Sequence, residues 1–155
     1  MEARTMKFRW LAGTALVACM SISVAAQSVP SGQVPTDATT LGSVALPRSV
    51  RANGEVLRAG TYTVRLTADT AQPAVPGIQM ERWVEFLRAG KVVGREVVSV
   101  IPQSEVKDLN SGAKGAKPAA GESRVEMLKG DDYLRVWINR RGVNYLIHLP
   151  PVTTS

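Results

Sequence analysis

Apolar and polar side chains alternate through most of the chain after its first forty residues. In Gly60-Thr61-Tyr62-Thr63-Val64-Arg65-Leu66-Thr67, Tyr62, Val64 and Leu66 fall on one side of an extended backbone, and Thr61, Thr63, Arg65 and Thr67 on the other. Successive side chains of a strand point to opposite faces, so the segment predicts a strand with one buried and one wet face. Comparable runs recur from Ser43 onward, cut by turn residues at intervals of about ten, and that spacing predicts an all-β domain.

The runs Met80 to Leu87, Lys91 to Ile101, Glu122 to Lys129, Tyr133 to Ile138 and Val143 to Leu149 read as further strands. Asn53-Gly54, between Val50-Arg51-Ala52 and Glu55-Val56-Leu57, predicts a tight hairpin, because both residues accept positive φ. The stretch Val92 to Ile101 is apolar on both faces, which places it centrally, and Gly94 within it predicts a bulge or a close backbone approach. Asp69 to Gly77, with Pro73 and Pro76, reads as loop, and residues 110–121, which carry no large apolar side chain, as a mobile loop. No segment predicts a helix in the domain. The expectation is a single small antiparallel β-sandwich of about seven or eight strands, with a small β-barrel as the alternative.

The last hairpin permits a register argument. A four-residue loop Asn139-Arg140-Arg141-Gly142 pairs Ile138 with Val143, Val136 with Tyr145 and Leu134 with Ile147, all six on one apolar face. The opposite face then collects Tyr133, Arg135, Trp137, Asn144, Leu146 and His148.

Leu57-Arg58-Ala59-Gly60-Thr61-Tyr62-Thr63-Val64-Arg65-Leu66 resembles the Leu-x-x-Gly-Thr-Tyr-x-Val turn and strand of bacterial β-sandwich modules of the carboxypeptidase-regulatory-like and transthyretin-like type. Fibronectin type III domains carry a similar Leu-x-Pro-Gly-Thr-x-Tyr. The resemblance implies a fold in which Gly60 turns the chain and the Tyr62 ring enters the core with its hydroxyl near the rim; it implies no activity. As a whole the sequence resembles an uncharacterised exported bacterial protein.

The opening residues change the picture of where the domain works. Residues 1–26 combine Arg4, Lys7 and Arg9, an apolar run from Leu11 to Ala18, and small residues Ala25-Ala26 before Gln27. This is the pattern of a secretory signal peptide, so a periplasmic or extracellular (secreted) location is expected. Leu16-Val17-Ala18-Cys19 offers an alternative, a lipoprotein anchored through Cys19, and membrane association is expected only in that case. Residues 27–42, rich in Ser, Pro, Thr, Gly and Gln, read as a flexible leader before a domain over residues 43–151. Cys19 is the only cysteine, so the mature domain is cysteine-free and must be held by its core.

The chain has 19 basic and 13 acidic residues; without Glu2, Arg4, Lys7 and Arg9 the net charge is about +4. The arginines are scattered, whereas nucleic-acid binders cluster theirs, so no nucleic-acid partner is expected. Candidate chemistry is sparse. His148 is the only histidine and has no cysteine beside it in the mature chain, so no metal and no cofactor are expected. Glu81 with Glu85, and Glu122 with Glu126, share strand faces as solvent-side glutamates do. The suggestive feature is the outer face of the last hairpin, where Trp137, Tyr133 and Arg135 stand with Asn144 and His148. Trp83 could extend it. Aromatic rings beside Arg, Asn and His can stack on sugars or anchor a protein. The expectation is an exported, non-enzymatic binding or structural module with an envelope glycan or protein as partner. Two alternatives stand beside it. One is an envelope enzyme using Asp131, Asp132, Glu122 or His148 in one concave pocket. The other is a small barrel carrying an apolar ligand against Val84, Phe86 and Tyr62.

Overall fold

The computed structural model describes residues 33–72, 80–110 and 117–153. Residues 1–32, with the expected signal segment, Cys19 and the first part of the expected leader, and residues 73–79, 111–116 and 154–155 lie outside the described residues.

Nine strands form among the described residues: β1 Thr39–Leu46, β2 Val50–Ala52, β3 Glu55–Leu57, β4 Gly60–Thr70, β5 Met80–Arg88, β6 Lys91–Pro102, β7 Ser123–Met127, β8 Leu134–Arg140 and β9 Val143–Leu149. Seven of them make one antiparallel sheet in the order β1-β4-β5-β6-β9-β8-β7, and β2 and β3 form a separate hairpin. The large sheet curls until β1 and β7 lie against each other, so it is nearly closed into a barrel. The all-β expectation holds, and of the two architectures the sheet takes the barrel form instead of splitting into two stacked sheets. Side chains bridge the seam: Ser123 Oγ donates to Ser43 O at 3.1 Å, and Arg140 Nη1 to Leu41 O at 3.4 Å.

The inner face of the barrel is filled. Tyr62, Val64 and Leu66 of β4 meet Val84 and Phe86 of β5, Val98 and Val100 of β6, and the inward residues of β8 and β9. Tyr62 and Phe86 pack edge to face with ring centroids 6.2 Å apart, and the Tyr62 hydroxyl donates to Arg58 O at 2.7 Å. The tyrosine thus buries its ring and ties its polar end to the turn that precedes its strand.

The β2–β3 hairpin adds Val50, Ala52 and Leu57 to the same core and is anchored by Arg51 N donating to Pro150 O at 2.8 Å. Its turn is the expected one, with Asn53 at φ 45° and Gly54 at φ 92°. Leu57 lands on Gly94, where a Cβ would sit only 2.9 Å from Leu57 Cδ2. Gly94 pairs with Phe86 while Val92 pairs with Leu87, leaving Val93 as the extra residue of a bulge. Both readings of Gly94 are therefore met.

The strand placed centrally by its apolar run, β6, is the middle one of the seven, although its first residues, Val92 and Val93, stay exposed. The leader gives way to β1 at Thr39, four residues before the expected boundary, because Val44 and Leu46 turn inward along β4 and a bulge between Thr40 and Gly42 turns Leu41 inward with them.

The last hairpin corrects the expected register. Arg140 pairs with Val143, Ile138 with Tyr145, Val136 with Ile147 and Leu134 with Leu149, so the loop has two residues, Arg141 and Gly142. Both have positive φ, 52° and 75°, and such a turn matches the twist of the flanking strands better than a four-residue loop. A shift of two residues leaves each side chain on its expected face.

The β5–β6 turn is built the same way from Ala89 at φ 49° and Gly90 at φ 75°. Alanine is a poor occupant of left-handed backbone. Ala89→Asn is expected to stabilise the chain by about 0.5–1 kcal/mol, read as a higher denaturation midpoint at unchanged slope.

Candidate functional site

The outer face of β8 and β9 divides in two. Its inner half is closed. Residues Gln103–Asn110 form a 3₁₀ helix, against expectation, and it lies over this face. Trp137 is fully buried there with Leu146, Ile101 and Val106. Trp137 Nε1 donates to Asn144 Oδ1 at 2.9 Å, Asn144 Nδ2 donates to Gln103 Oε1 at 3.0 Å, and Gln103 N donates to Gly142 O at 3.2 Å. The chain of bonds satisfies a buried indole and a buried amide, and it fixes the helix to the turn. Trp137 and Asn144 therefore belong to a second, smaller core. Leu146, apolar in the middle of a nominally wet face, is the residue that signalled a cover.

The other half reaches water at its rim, where Tyr133 is exposed and His148 half-buried, while Arg135 beneath them is 8% exposed. Arg135 and His148 are cross-strand partners, and Arg135 Nε donates to His148 Nε2 at 3.3 Å. Tyr133, at the rim, is 46% exposed and stands edge-on to the imidazole with centroids 6.4 Å apart. Of the five residues expected to form one face, the structure brings Tyr133, Arg135 and His148 together in the open half.

Trp83 lies in the same transverse row. Trp83 pairs with Val97, and because Val98 faces Ile147, Val97 and His148 share a row. Its backbone is then two strand spacings from that of His148, about 10 Å. Arg95 covers part of the Trp83 ring at 5.1 Å from the ring centroid and is held by Asp69 at 2.9 Å. The outer surface thus carries two aromatic positions, each beside an arginine, flanking a histidine.

His148 is the titratable group of this face. Burial, and next the guanidinium of Arg135 beside it, hold its imidazole below the ordinary value of 6.5. The neutral ring is the form that can accept from Arg135 Nε. In the unfolded chain His148 takes up a proton near its ordinary value, and in the folded chain only at lower pH. Stability is therefore complete above about pH 6.5 and declines as pH falls through the lowered value, where the unfolded chain binds more protons. Thermal melts between pH 7 and pH 5 should show this decline, and His148→Gln, which keeps an acceptor and cannot titrate, should flatten it.

The acidic candidates hold structural posts. Glu85 pairs with Arg65 at 2.6 Å, and Glu126 Oε2 lies 3.5 Å from Arg124 Nε. Glu122 accepts from Ala119 N at 3.3 Å and sits beside Asn139, at the far end of the hairpin from His148. Asp131, at φ 59°, and Asp132 shape the turn before Tyr133. Among the described residues no three of His, Cys, Asp and Glu gather into a group that could hold a metal ion. Tyr62, Val84 and Phe86 pack within the core. No helix among the described residues is long and apolar enough to cross a membrane.

Comparison with known protein families, with curated proteins and with solved structures gives no match.

Proposed function

We propose that this chain is a non-catalytic binding module that works after export, and that it takes an envelope glycan on the outer face bearing Tyr133, Arg135, His148 and Trp83. One observation carries the reading. Tyr133 keeps nearly half its surface in water while its ring is braced against His148, which is itself tied to Arg135. A braced, exposed ring beside a half-buried histidine suits the apolar face of a sugar. The exported setting rests on the secretory pattern of residues 1–26, and the intact mass of the exported protein tests it. A mature chain beginning at Gln27 supports a freely exported module, and a lipid-modified Cys19 supports an anchored one.

The binding claim is tested by titrating peptidoglycan and polysaccharide fragments and following amide shifts around Tyr133 and His148. Tyr133→Ala is expected to weaken the best fragment about tenfold or more without changing the fold. Absence of binding by every fragment, or binding indifferent to Tyr133→Ala, would overturn it.

A further inference from the structure

A second site lies on the opposite flank of β8 and β9, where the segment before β1 meets the β8–β9 turn. A cleft of about 60 Å³ opens there, walled by Pro35 and Leu41 on one side and by Arg140 and Arg141 on the other, with Tyr145 lining it. None of the residues lining it is acidic. We propose that this cleft binds small aliphatic carboxylates, free or as the end of a longer chain.

Tyr145 supplies the first argument. The residue is 1% exposed, yet its hydroxyl meets no hydrogen-bond partner among the described residues. The hydroxyl is not sealed in, since it lines the cleft, and a phenol without a protein partner is free to donate to a ligand that displaces water there. Burial pushes the phenol up to about 12, against the opposing charges of Arg82 and Arg140, so at neutral pH it is a donor.

The charge around it selects the acceptor. Arg140 and Arg141 both line the cleft, Arg141 as the first residue of the two-residue turn, and Arg140 Nη1 also donates to Leu41 O at 3.4 Å. Arg82, 4% exposed, adds a third positive charge acting on Tyr145. A cationic, partly desolvated pocket with a phenol donor favours an oxyanion, and the planar fork of arginine matches a carboxylate.

Size and wall chemistry narrow the choice further. The volume has room for about four or five water-sized groups, enough for a carboxylate with one or two carbons and too little for a ring. Pro35 and Leu41 give an alkyl group an apolar wall, which a phosphate would leave unused. This site shares no residue with the Tyr133 face, so it stands or falls independently of the glycan reading.

The test is a titration of the full-length chain with sodium propionate, N-acetylalanylalanine and sodium phosphate, followed through the amides of Arg141 and Gly142. Saturable shifts with propionate are expected. If N-acetylalanylalanine competes with propionate, the ligand is a chain end; if propionate alone binds, it is a free acid. Tyr145→Phe and Arg140→Gln should each weaken propionate about tenfold or more. Arg141→Gln, at an exposed turn position where folding is not at risk, should weaken it as well. Phosphate binding as tight as propionate, shifts that never saturate, or binding unchanged in Arg141→Gln would each overturn the proposal.

Discussion

Trp137→Ala is expected to cost about 3–5 kcal/mol, among the largest losses any single substitution in this chain would cause. The indole is fully buried between β8, β9 and the 3₁₀ helix, in contact with Ile101, Val106 and Leu146. Its removal leaves a cavity and strips Asn144 Oδ1 of its donor, so a packing loss and a lost buried hydrogen bond coincide. The helix should loosen with it. Urea denaturation gives the loss in stability, and hydrogen exchange at Gln103 to Val106 reports the helix. Trp83→Ala, at a half-buried ring on the same outer surface, serves as the control and should lose much less.

Arg82→Met is the second large effect, about 2–4 kcal/mol. Arg82 occupies an inward position of β5, in line with Val84 and Phe86, and is 4% exposed. Its guanidinium donates to the carbonyls of Pro35, Thr36 and Thr67. Thr67 lies where the β4–β5 ladder is interrupted between Leu66 and Thr70, so the arginine replaces a strand partner that the irregularity removes. Replacing a buried ion pair with apolar side chains is often harmless. Here the acceptors are backbone carbonyls, which no substitution of Arg82 removes, and an unpaired buried carbonyl costs about 1–3 kcal/mol. The segment Val34 to Asp37 should detach, visible as faster amide exchange there, while the far end of the barrel around Tyr62 keeps its protection.

Strand identity was legible in the sequence because period-two alternation survives any strand order. Tyr62, Val64 and Leu66 turn inward as their spacing requires, and Asn53-Gly54 turns the chain as its chemistry requires. Closure was not legible, since it depends on β9 returning to β6 and on β1 meeting β7, and neither pairing leaves a mark within a single strand. The register of the last hairpin was misjudged by two residues because a two-residue slip preserves every face. The 3₁₀ helix went unforeseen for a different reason. Gln103 to Asn110 has only two apolar residues, Val106 and Leu109, too few to announce a period, and among the described side chains Val106 joins the small core. The cue lay across the sheet, where Trp137 and Leu146 put two large apolar side chains on a face otherwise polar. Arg82 was readable as an anomaly, a charge in step with Val84 and Phe86, but its carbonyl partners come from a leader whose position no periodicity reveals.

The residues that the sequence grouped on the outer face of the last hairpin do share that face in the structure. The sequence could not divide that face into a sealed half around Trp137 and an open half around Tyr133, because the division is made by a helix distant in sequence. The measurement that tests this division most directly is acrylamide quenching of Trp137 fluorescence in the full chain carrying Trp10→Phe and Trp83→Phe. A blue-shifted emission that acrylamide barely quenches is the predicted result, with the indole sealed beneath the 3₁₀ helix. Strong quenching with red-shifted emission would contradict it and would return Trp137 and Asn144 to the open binding face.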